Sequence, residues 1–341
     1  MRRWISASGF ALAFLGLGAG SPAAAQDTHL LVVVGLGGDA EYRELFHGWA
    51  VDMTSTAMDR LGLAENHIVY LGERPDDAPG VIDERSTLEN MTSVLVGMAS
   101  DAGPQDRVLI LLIGHGTGRG EEVQFNLPGP DLTPQNLDVM LNDFPTQIVA
   151  IVNTSPSSGP FIPALSGPNR VVLTATRSAQ ERNETQFGAF FVEALGEDGS
   201  DLDKDGRISL LEAFQYASRE VDRYYESQNL LATEHAQLDD DGDGEGSTEV
   251  GIDVSDGRLA SAFWIGSSSQ VATEGVVPDS ITDPELRSLY EEKADLERRV
   301  LELRALRGQM EESRYEQELE SLLVELALKN REIREKGGGG P

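Results

Sequence analysis

The sequence predicts an α/β domain built on a mostly parallel sheet with helices on both faces. Three observations lead there. Short, continuously apolar runs recur, as in Leu30–Val34, Val108–Ile113 and Ile148–Val152. Strands buried on both faces have this pattern. Segments with helical spacing separate the runs, and the connecting loops are short and often carry glycine.

Each element follows from its residues. Leu30–Val34 predicts the first strand. Glu41–Leu61 predicts a helix, with Leu45, Trp49, Met53, Thr56 and Arg60 marking successive turns. His67–Leu71 predicts a second short strand. Ser86, with Glu89 three residues on, predicts a capping box that opens a helix reaching about Ser100. Val108–Ile113 is the third strand, Thr133–Leu141 a helix, Ile148–Val152 the fourth strand and Arg170–Ala175 the fifth. Gln186–Leu195 predicts a helix and Ala260–Ile265 a sixth strand. Ligands of such sheets sit beyond the C-terminal strand ends, here the loops from Gly35, Gly114, Asn153 and Thr176. Gly35–Gly38 lacks dinucleotide-loop spacing, because the third glycine would fall at Ala40. It predicts a plain β–α turn.

Composition narrows the function. The 341 residues include 58 acidic and 27 basic side chains, a net charge of −31, and no cysteine. Disulfides, thiolate metal sites and a thiol nucleophile are excluded. Binding driven by phosphate contacts needs the opposite charge, so no nucleic-acid partner is expected. Arg2 and Arg3 precede an apolar stretch and the run Ala23–Ala24–Ala25. This layout predicts a signal peptide over 1–25 and export to a periplasm or the cell exterior. No later segment is long and apolar enough to span a membrane.

Two strand ends carry chemistry. Gly114–His115–Gly116 places an imidazole at the sheet edge, and the Gly116 N–H suits an oxyanion. The next strand runs into Asn153–Thr154–Ser155–Pro156–Ser157–Ser158–Gly159, a nucleophile beside a base. An apolar strand ending in His-Gly, then one ending in Asp-Ala-Cys-x-Ser-Gly, marks the clan of caspases, metacaspases, legumain and gingipains. The stretch from about Thr28 to Ile265 resembles it, and only the two strand ends are specific. The resemblance implies a caspase–hemoglobinase-like three-layer sandwich with a mostly parallel six-stranded sheet. It implies His115 as general base, Gly116 as oxyanion donor and Ser155 at the nucleophile's position. The chain departs from the pattern there. From the strand, Ser155 stands where the thiol belongs; counted back from Ser158–Gly159, Pro156 does. A serine hydroxyl needs activation that a thiol does not. Two readings follow: a pseudo-peptidase that binds peptides or proteins, and a Ser155/His115 hydrolase. Arg177, at the fifth strand's end, suits a carboxylate ligand or an ion pair with Glu181 or Glu184.

Asp201–Glu212 fits the twelve-residue EF-hand loop. Asp201, Asp203 and Asp205 take positions 1, 3 and 5, and Gly206 makes the turn at 6. Arg207 offers its carbonyl at 7, Ser209 stands at 9 and Glu212 closes the loop. Alternate residues of a tight loop bring hard oxygens to one point, as Ca²⁺ requires. A second run places Asp239, Asp241 and Asp243 at positions 1, 3 and 5 but has Val250 at 12. It is a weaker calcium loop, a source of further carboxylates for the first site, or a polar loop. His235 beside it is given no ligand role. The insert 197–253 holds seventeen acidic and four basic residues, so cations favour its compaction.

The expected domain spans 27–266, followed by a linker over 267–282 and a helical segment over 283–336. Leu286, Leu289, Leu296, Val300, Leu303 and Leu306 recur at helical spacing; after Gly308, Tyr315, Leu319, Leu322, Leu326 and Ile333 resume it. This predicts an antiparallel hairpin or a coiled coil, suited to a partner protein or to homo-oligomerisation. The residues 337–341 form a glycine-rich tail.

Overall fold

The computed structural model describes residues 26–119, 122–204, 206–266, 283–305 and 312–336. The expected signal peptide, linker and tail, and the calcium-loop residue Asp205, lie outside the described residues.

Strands β1 (Thr28–Val34), β2 (Ile68–Gly72), β3 (Glu84–Arg85), β4 (Arg107–Ile113), β7 (Ile148–Asn153), β8 (Arg170–Thr174) and β9 (Gln237–Asp239) form one sheet, with β5 (Gly116–Arg119) and β6 (Glu122–Phe125) as a separate hairpin. The sheet order is β3-β2-β1-β4-β7-β8-β9. All neighbours are parallel except β8 and β9. β1 alternates between two cores. Leu30, Val32 and Val34 pack with helices α1 (Ala40–Asp59), α5 (Phe187–Gly196) and α6 (Leu210–Ser227). Leu31 and Val33 pack with α2 (Leu88–Asp101), α3 (Pro134–Leu141) and α4 (Phe161–Leu165). The result is an α/β sandwich with helices on both sides of a mostly parallel sheet.

Four expectations change. The sheet has seven strands, not six. Ala260–Ile265 is not a strand, because the Asp240 carboxylate accepts from the Gly257 and Ala260 N–H groups and nucleates α7 (Arg258–Ala262). Phe263 and Ile265 are still buried, and Trp264 bridges to Ser209 alone. On α1 the buried stripe is Phe46, Ala50, Met53 and Ala57, one residue round from Leu45, which is exposed. The cap of α2 is Thr87, whose hydroxyl accepts from the Asn90 N–H; Ser86 is held in the preceding turn by Gly72 O.

Helices α8 (Pro284–Ala305) and α9 (Glu312–Lys336) bury Leu296, Val300, Tyr315, Leu322 and Leu326 between them. Ion pairs Glu285–Lys336, Glu292–Lys329 and Arg299–Glu325 run in opposite chain directions. The helices are therefore antiparallel, as in the hairpin alternative. Among the described residues no helix is long and apolar enough to cross a membrane.

Candidate functional site

Adjacent strands bring the two sequence-predicted loops together. β4 and β7 pair with Leu112 opposite Asn153, so Gly114–His115–Gly116 and Asn153–Ser155 leave the sheet side by side. Contact is close at Gly116. A Cβ there would lie 2.1 Å from Pro156 O and 2.8 Å from Ser155 Oγ. Only glycine admits this approach.

Ser155 is buried at 1 % exposure. Its hydroxyl donates to Asn153 Oδ1 at 2.7 Å, and its own N–H reaches the same oxygen at 3.1 Å. Among the described residues no hydrogen bond joins Ser155 to His115. The half-buried His115 ring instead lies edge-on to Tyr42 at 4.7 Å and Phe46 at 5.1 Å. Tyr42 donates to Glu184 Oε2 at 2.7 Å, and this bond pushes its phenol up to about 12. Such an arrangement positions an imidazole but hands it no serine proton.

The rest of the loop is structural. Ser157 donates to Ala179 O, and Ser158 Oγ meets Thr176 Oγ1 at 3.1 Å. Arg177, 58 % exposed on its side chain, pairs with Glu181 at 3.1 Å. Glu181 also holds His235 Nδ1 at 2.6 Å. Of the two acidic partners expected for Arg177, Glu181 and Glu184, the structure pairs it with Glu181, which also pairs with His235.

In the first calcium-type loop, carboxylate oxygens of Asp201, Asp203 and Glu212 lie within 4.8 Å of one another and could hold a metal ion. Glu212 Oε2 accepts from the Ser209 N–H and hydroxyl, while Ser209 Oγ accepts from the Glu212 N–H, a capping box that starts α6. Glu212 Oε1 accepts from Leu202 N and Asp203 N. Asp201 Oδ2 accepts from Gly206 N at 3.1 Å. The donor set is all hard oxygen, which fits Ca²⁺ or another hard cation. Arg207 stacks its guanidinium on Trp264, 5.1 Å from the ring centroid.

The second loop repeats this conformation. Asp239 Oδ2 accepts from Gly244 N at 3.1 Å, the same one-to-six bond. Positions 4 and 6 are left-handed in both loops: φ is 59° at Lys204 and 87° at Gly206, 82° at Gly242 and 79° at Gly244. Asp239, Asp241 and Asp243 also gather carboxylate oxygens within 4.8 Å. Burial raises the Asp239 carboxyl above its ordinary range, with Asp243 adding repulsion.

Sequence reasoning missed Glu234. This residue is 2 % exposed and accepts from Gln186 N, Phe187 N and the Tyr225 hydroxyl, tying the N-terminus of α5 to the insert. Burial pushes its carboxyl up to about 7, against those donors. No local pattern marks it, since its backbone partners Gln186 and Phe187 are 48 and 47 residues away. Its value in the unfolded chain lies lower, so the fold binds the extra proton between roughly pH 4.5 and 7. Stability from this group is therefore complete at acid pH and is lost as pH rises through 7. Thermal melts of wild type should fall between pH 5 and 7.5 by an amount absent in Glu234→Gln, on the order of 1–3 kcal/mol.

No protein-family model and no curated protein matches the chain. Among solved structures it is similar to the crystal structure of protein GSU0716 from Geobacter sulfurreducens, at 13 % identity and a TM-score of 0.41, over 62 % of this chain and 92 % of that one.

Proposed function

We propose that the protein is an exported, calcium-binding pseudo-peptidase of caspase-like fold that binds peptides or partner proteins without cleaving them. One observation carries the reading: the Ser155 hydroxyl proton is given to Asn153 Oδ1, an amide oxygen that is no base. Attack on a carbonyl needs that proton passed to an imidazole as the bond forms. Burial of Ser155 at 1 % exposure supports the same reading. The carboxylates of Asp201, Asp203 and Glu212 are the proposed calcium ligands, with Asp205, the Arg207 carbonyl and Ser209 completing the set. The α8–α9 hairpin is the proposed surface for a partner protein or a second copy of the chain.

A second reading, a calcium-dependent hydrolase using Ser155 and His115, is favoured by the packing of Gly116 directly on Ser155 Oγ. A fluorophosphonate probe separates them. Calcium-loaded wild type is expected to remain unlabelled. Labelling that disappears in Ser155→Ala and in His115→Ala would establish the hydrolase and refute the pseudo-peptidase.

A further inference from the structure

A cavity of about 360 Å³ lies between the first turns of α1 and the C-terminal end of β2. This volume suits a small organic molecule. The cavity is separate from the His115 cleft: Tyr42 and Phe46 of α1 face His115, whereas Arg43 and His47 of the same helix line the cavity.

Its wall is built from interlocking contacts. Glu73 Oε2 accepts from the Gly37 N–H at 3.0 Å and fixes the loop after β1. A Cβ on Gly37 would lie 2.5 Å from Arg43 Cγ, so that loop seats the Arg43 stem. Tyr70 is 2 % exposed, and burial raises its phenol well above the ordinary range. Its hydroxyl meets His47 Nδ1 at 2.9 Å. Val34, Ala78 and Ile82 supply an apolar floor.

Two opposite charges on this wall are uncommitted. Arg43 makes one long hydrogen bond, to Gly38 O at 3.4 Å, and no ion pair among the described residues. Glu44, next to it on α1, is exposed and has no hydrogen bond or ion pair among the described residues. The other lining cation, Arg74, sits beside Glu73 at 3.5 Å and Asp77 at 3.9 Å. A guanidinium and a carboxylate that have no ion pair among the described residues, beside an apolar floor, match a ligand that carries both charges on a small apolar body.

We propose that this cavity binds a small zwitterion, an aliphatic amino acid or short peptide, with its carboxylate on Arg43 and its ammonium on Glu44. The site requires neither Ser155 nor the calcium loops. Isothermal titration of the full chain with L-leucine tests it, beside N-acetyl-L-leucine, which lacks the ammonium, and L-leucinamide, which lacks the carboxylate. Saturable binding of L-leucine is expected. Each analogue, and each of Arg43→Gln and Glu44→Gln, should weaken it by at least about tenfold, because each removes one charge-assisted contact. Neither side chain supports the fold through an ion pair, so both variants should melt with wild type. No saturable binding at millimolar L-leucine would overturn the proposal. So would an analogue that binds equally well, or undiminished binding by Arg43→Gln.

Discussion

Gly116→Ala should destabilise the protein by roughly 2–4 kcal/mol, lowering Tm by about 5–15 °C. The added Cβ meets Pro156 O at 2.1 Å and Ser155 Oγ at 2.8 Å. The first is backbone, and Ser155 is buried and bonded to Asn153, so neither can retreat without moving a strand end. Gly48→Ala is the control. Gly48 lies within α1, and its Cβ would meet nothing within 4 Å. Alanine in a helix interior is favoured over glycine by about 0.5–1 kcal/mol, so this variant should melt slightly above wild type. Thermal denaturation of the pair reads the contact directly. If Gly116→Ala melted with wild type, the two strand ends would not be packed as described.

That contact also shows what the sequence can and cannot carry. The five long strands were legible because burial on both faces leaves continuous apolar runs, as in Val108–Ile113. Strand β9 was not, since Gln237–Asp239 is short, ends in acid and pairs only through the tertiary fold with β8. Ala260–Ile265 misled because apolar composition cannot distinguish a strand from a buried turn of helix, and the deciding cap, Asp240, lies 20 residues from Ala260. The Asp201–Asp203–Glu212 group was legible because its carboxylates come from one local stretch. The neighbouring strand ends were legible as residues, but the hydroxyl's partner was not. Whether Ser155 bonds to His115 or to Asn153 depends on the conformation of the turn, which the residue pattern does not set.

A second large effect is expected in the insert. Seventeen acidic residues against four basic ones between 197 and 253 repel one another, and several of these carboxylates are buried. A cation bound to the Asp201–Asp203–Glu212 group neutralises part of that charge only in the folded state. Binding to the folded form alone stabilises it by about 2.7 kcal/mol at a hundredfold excess over Kd. For a domain of this size that is a rise in Tm of roughly 5–10 °C per site. Asp201→Asn is the informative variant: an amide oxygen can still accept from the Gly206 N–H, whereas the ligand charge is lost. Glu212→Ala removes the proposed ligand and the capping box together, so it should lower Tm even without metal.

A calcium titration followed by thermal melting, with limited proteolysis of the insert in parallel, tests the account most directly. Calcium should raise Tm and protect the segment 197–253, chelation should reverse both, and Asp201→Asn should abolish most of the calcium-dependent increment. A melting curve and a cleavage pattern that are the same with calcium and with chelator would contradict it.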